Sequence, residues 1–173
     1  RENHTRSEIE ALIDALGRIP EQKAADFLLH EAGQAEAGIA LRAAHGLAHL
    51  RDLEASLSVS TAAVHEAAEK KIRELFQLKI AAQHETIVSA DQAAELIQSA
   101  ADERLDLICT LLGTVYGQEE LRSAFLNITE QKSAANAIEL IDSRVAWKGK
   151  TVLAAGLETA PEKLNERYRS LYR

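Results

Sequence analysis

Glu10 to Leu50 reads EALIDALGRIPEQKAADFLLHEAGQAEAGIALRAAHGLAHL, and the spacing of its apolar residues decides the fold class. Ile9, Leu12, Ile13 and Leu16 recur at intervals of three and four, the period at which side chains return to one face of an α-helix. Ser7 followed by Glu10 has the spacing of a capping box, and Gly17 with Pro20 ends this first helix. A second helix is predicted over about Glu21 to Glu31, with Ala24, Phe27 and Leu28 inward, before the Gly33 to Gly38 region loosens the chain. A third runs from Ile39 to about Leu50 and carries Ala40, Ala43, Leu47 and Leu50 on one stripe. Its small residues favour close packing against a neighbour.

The same period continues downstream. Ser60 caps a long predicted helix with Val64, Ala68, Ile72, Leu75, Phe76 and Ile80 inward. Ser89 with Gln92 is a second capping-box candidate, ahead of Ala93, Ile97, Ala101, Leu105, Ile108 and Leu112, and Gly117 ends that helix. Leu121, Ala124 and Phe125 mark a short helix, residues 132 to 145 the next, and Lys148 to Gly156 a further one. Pro161, at an early helical position, opens the last, which carries Leu164, Tyr168 and Leu171. A weak internal repeat relates Leu16–Leu50 to Leu112–Val145. Each copy offers an apolar stripe that it cannot bury alone, so stacking on the next pair is the physical solution.

Composition agrees with an all-α reading. Apolar residues make up 46% but aromatics only 4%, so alanine and leucine, both good helix formers, dominate over the strand-favouring types. With two prolines and eight glycines the chain is poor in breakers. Its formal charge of -7 opposes phosphate backbones and anionic lipid, so nucleic acid is not an expected partner. Cys109 is the only cysteine, which excludes an intrachain disulfide, and it sits among Ile108 and Leu111 as an inert packed thiol. No stretch approaches the roughly 20 apolar residues of a membrane span, and no signal-peptide core is present. The chain begins with Arg1 rather than methionine, which we read as a piece of a longer protein or the loss of a leader.

Candidate chemistry is sparse. His45 and His49 lie four residues apart on one helix face, the spacing that two metal ligands need. The segment HGLAH lacks the glutamate of a zincin, however, and a third ligand would have to come from His30, Glu31, His65 or His84. Ordinary surface histidines are the weightier reading, and no cofactor is expected. The basic run Lys70, Lys71 and Arg73 beside Glu66 and Glu69 reads as a solvated face, as does the mixed patch around Asp102 to Asp106. No ExxH, P-loop or G-x-G-x-x-G pattern occurs, so a non-enzyme is expected. Trp147 is the single tryptophan and stands near Arg144, Lys148 and Lys150. These four are the candidate partner-binding residues, with Arg42 next in rank; packing at a domain end is the competing reading for Trp147.

The Glu10–Leu50 run resembles HEAT-type repeats, in which one helix ends near LG, a second carries FLL, and a third opens with a basic residue before AAxxL. The run LICTLLGTVYGQEELRSAFLNITEQKSAANAIELIDSRV, Leu107 to Val145, is similar to the HEAT-like region that follows the membrane part of some bacterial relatives of ATP/ADP translocases and major-facilitator transporters. ANAIELID carries most of that likeness. The two long middle helices depart from a regular repeat of about 40 residues. The resemblance implies a single domain over 1–173, with subunits 7–50, 60–112 and 113–173, folded as a HEAT-like irregular α-solenoid; a compact multi-helix bundle is the alternative. It also implies a non-catalytic scaffold or regulatory domain, cytoplasmic or at the cytoplasmic face of a membrane through its parent protein. The partner would be another protein or a membrane-embedded region of the same polypeptide. A metal-dependent helical enzyme and a self-associating module are the competing expectations.

Overall fold

The computed structural model of the protein describes residues 5–81, 90–117, 119, 121, 122, 134–158 and 163–172. Among them are eight helices and no strand. They are α1 (Arg6–Leu16), α2 (Gln22–Gln34), α3 (Ala37–Leu53), α4 (Thr61–Ala81), α5 (Ala90–Tyr116), α6 (Ala134–Arg144), α7 (Lys150–Glu158) and α8 (Leu164–Leu171). None is long and apolar enough to cross a membrane. Ser89, His84, Ala124, Phe125 and Pro161, which figured in the sequence reading, lie outside the described residues, as does much of the second copy of the internal repeat.

Local chemistry explains the helix ends. The capping box of α1 is Thr5 with Glu8, not Ser7 with Glu10: the Glu8 N–H donates to Thr5 Oγ1 at 3.4 Å, and the Thr5 N–H donates to the Glu8 carboxylate at 2.7 Å. The same S/T-x-x-E spacing occurs two residues earlier than expected, and Glu10 is instead held by Arg6 at 2.8 Å. Ser60 meets the Ala63 N–H at the start of α4, as predicted. Gly117 ends α5 with φ 112°, a left-handed conformation that glycine adopts without a Cβ penalty. The chain does break within the Gly33 to Gly38 region, though not at the glycines themselves. Both are helical, and the break falls at Ala35 and Glu36.

The four longest helices touch in a closed cycle, α2 with α3, α3 with α5, α5 with α4, and α4 with α2. Two stacked helix pairs and a four-helix bundle share this arrangement. Helix α1 lies on α3 and α2, while α7 and α8 lie on α4. The core joins Leu28, Leu47, Leu50, Ile72, Leu75, Phe76, Ile108, Leu111 and Leu112 to a set of buried alanines. In α2 the buried face is Ala24, Ala25, Leu28 and Ala32, whereas Phe27 is 36% exposed, contrary to expectation. A ring there would not fit between helices that meet through Ala40, Ala43 and Ala44 of α3. At the other end, α8 docks on α4 through Tyr168, 5.8 Å from Phe76, and Tyr172, whose ring lies under the Arg73 guanidinium at 4.7 Å.

Lysines bind three helix C-termini, where the last carbonyls lack intrahelical donors and carry partial negative charge. Lys71 Nζ donates to the Ala35 carbonyl at 3.0 Å and to Glu74 at 3.1 Å; Lys79 Nζ reaches the Gly156 carbonyl at 3.0 Å; Lys150 Nζ reaches the Asp142 carbonyl at 2.6 Å. Lys71 is only 1% exposed, which corrects its place in a solvated basic run. Its stem replaces an apolar core residue of α4, and its charge fastens that helix to the end of α2. Lys71→Ala leaves a part-buried carbonyl and the Glu74 carboxylate without their donor, so it is expected to cost about 2 kcal/mol. Lys70→Ala should cost under about 0.5 kcal/mol. Urea denaturation of the two variants measures the difference.

Candidate functional site

The residues around Trp147 converge from three elements. His65, in the second turn of α4, lies against both Tyr116 at the end of α5 and Trp147 in the connection between α6 and α7, with its ring nearly parallel to each. The His65 and Trp147 ring centres are 5.1 Å apart at 17°, and those of His65 and Tyr116 are 5.8 Å apart at 9°. The Tyr116 hydroxyl lies 2.7 Å from His65 Nε2 and 3.3 Å from the Ala146 carbonyl. With its proton on Nε2, His65 donates to the hydroxyl, which donates onward to Ala146. Trp147 also covers Gly149 so closely that a Cβ there would run into the indole. The stack therefore fastens the 145–149 connection to the start of α4 and the end of α5.

Of the other candidate residues in this region, Arg144 and Lys148 are exposed, and Lys150 is tied to Asp142 by a 2.9 Å ion pair. Beside that pair a small cleft of about 140 Å³ opens between α6 and α7, lined chiefly by Ile138, Ile141, Leu153 and Leu157. Trp147 is half-buried and its partners are internal. The stack was not legible in the sequence, because His65 lies far along the chain from both rings.

Arg42 lies apart, in a groove of about 650 Å³ between α1 and α3 that His45 and His49 also line. It pairs with Asp14 at 2.8 Å and lies 4.0 Å from Glu10. His45 Nε2 approaches Asp106 of α5 at 3.6 Å. The nearby His45 imidazole, more than any other influence, holds the Asp106 carboxyl below the usual carboxylate range; burial opposes it, and the Thr110 hydroxyl assists. His45 and His49 thus share a face as their spacing implied, but no group of three His, Cys, Asp or Glu among the described residues is placed to hold a metal ion. A second groove, about 720 Å³, runs between α2 and α4 with Asp26, Glu66 and Glu69 against Lys70 and Arg73. Cys109 is buried, and desolvation pushes its thiol up to about 12, far from the thiolate a nucleophile needs.

No family model, curated protein or solved structure matches the chain. The residues alone therefore carry the functional argument.

Two outcomes follow from the stack. Trp147→Ala is expected to lower stability by about 2 kcal/mol and Lys148→Ala by under about 0.5 kcal/mol. Equal losses in thermal unfolding would contradict the packing. Burial lowers the His65 pKa, so the unfolded chain takes up the proton more readily than the folded one. Stability from this group is complete above the unfolded value of about 6.5, falls as pH drops through it, and levels off below the folded value. A melting-temperature series from about pH 7.5 to about 5 should show that decline, and His65→Gln should flatten it.

Proposed function

We propose that the protein is a non-catalytic helical-repeat module that works by contact with another polypeptide. The observation that carries this reading is a second apolar face on α1. Ile9, Ile13 and Leu16 face inward, yet Ala11, Leu12 and Ala15 are exposed on an adjoining flank, and Ile19 extends the stripe just beyond the helix. Leu12 is 49% exposed and Ile19 42%. An edge helix that ends an array normally turns a polar face outward. Here alanines at 11 and 15 permit close approach of another helix, and Leu12 and Ile19 supply apolar area to bury.

The α2–α3–α5–α4 cycle is compatible with the paired layers of a HEAT-like array, in which α1 would be the face for the next layer. Arg144 and Lys148, exposed beside the anchored Trp147, form a second contact region under this reading. The next layer would come from another protein, or from a membrane-embedded region of the same polypeptide. A second copy of the chain is the competing occupant, and the small-residue stripe favours it because two identical α1 faces can pair about a two-fold axis.

Photo-crosslinking from position 12 of the full chain, in the cells that make it, distinguishes these occupants. Capture of another polypeptide supports the scaffold reading, and capture of a second copy supports self-association. No capture overturns both. Leu12→Lys combined with Ile19→Lys should abolish capture while changing stability by less than about 1 kcal/mol, since both side chains are already exposed.

A further inference from the structure

The groove between α1 and α3 departs from the acidic character of the chain. Among its described lining residues Arg18, Arg42, His45 and His49 are basic, and Asp14 is the only carboxylate. All four basic side chains are exposed. Two carboxylates from outside the lining also approach them, Glu10 near Arg42 and Asp106 near His45. Glu10 is already paired with Arg6 at 2.8 Å, and Asp106 accepts from Thr110 at 3.3 Å. Arg18 and His49 have no ion-pair partner among the described residues. The Arg42–Asp14 pair is an exposed one, which costs little to exchange for another anion.

The spacing of these groups selects the shape of the ligand. Arg42, His45 and His49 fall on one stripe of α3 and extend over about 10 Å at the helical rise per residue. That is too long for one phosphate or carboxylate and matches a chain bearing several. The floor is shallow because α1 and α3 nearly touch at two glycines: a Cβ on Gly17 would lie 3.1 Å from Gly46 Cα. A bound segment would lie along the groove, not sink into it. We infer that the α1–α3 groove is a docking site for an acidic segment of a partner protein, its carboxylates meeting Arg18, Arg42, His45 and His49. This rests on the contact-module reading and adds the chemistry of one partner element.

The test is fluorescence anisotropy of labelled decaglutamate with the full chain at low salt. The net charge of -7 opposes non-specific capture of such a peptide, so binding reports a local site. Binding is expected to weaken at least about tenfold in Arg18→Ala combined with Arg42→Ala, and severalfold in His45→Gln combined with His49→Gln. It should also weaken as salt rises from about 0.05 to about 0.15 M. Circular dichroism should show both variants folded. Absence of binding, or equal binding by the arginine variant, overturns the inference, and so does full displacement by inorganic phosphate, which marks a simple anion site. Loss of self-association in Arg42→Glu, without peptide binding by the natural chain, would assign the groove to a second copy and also overturn it. Crosslinking from position 12 is independent of these side chains, so a failure here leaves the α1 reading to stand or fall separately.

Discussion

Two helices can come close only where their side chains are short, and that constraint governs the whole α2–α3–α5–α4 cycle. Ala24, Ala25 and Ala32 of α2 meet a third helix that buries Ala40, Ala43, Ala44 and Ala48, and Ala67 and Ala68 do the same on α4. A buried methyl contributes only about 0.8 kcal/mol by desolvation, so these positions set distance more than they supply energy. The larger hydrophobic contribution comes from Leu28, Leu47, Ile72, Leu75, Phe76 and the leucine-rich second half of α5. Enlarging one of the alanines would separate helices across a long interface and weaken contacts well beyond the altered residue.

Close approach also brings the polar ends of helices into the interior, and the lysines answer that. Lys71 and Lys79 both project from α4, one to the end of α2 and one to the end of α7. Burial lowers the Lys79 pKa, with Asp102 opposing, so its bond to Gly156 is made at some desolvation cost. Helix α4 is thus the element through which the two ends of the molecule are joined. Gln22 adds a neutral tie by bonding both the N–H and the carbonyl of Ser58, which fixes the chain entering α4 to the start of α2.

The helices among the described residues, and their period, were legible because a 3.6-residue repeat survives without tertiary knowledge. Val64, Ala68, Ile72, Leu75 and Phe76 are all buried as their spacing implied, and Gly117 stops α5 where the turn chemistry placed it. What a linear reading misses is competition between neighbours. Phe27 has the right hydrophobicity for an interior position, but α2 turns its alanines toward α3 instead. Lys71 looks like one member of a surface run until the free carbonyl of Ala35 arrives beside it. The histidine pair at 45 and 49 was visible as a shared face, whereas the link to Asp106 required the packing of α3 on α5. The candidate partner residues were legible only as types: Trp147 proved to have an internal partner 82 positions away in the chain, which periodicity cannot encode.

That pairing gives the molecule a built-in optical gauge. Trp147 is the only indole in the chain, so all tryptophan emission arises from the joint between the start of α4 and the segment leading into α7. An imidazole pressed against it makes the quantum yield depend on whether that joint is closed. Opening, closure and solvent entry at this one junction can therefore be followed by light, with no label attached.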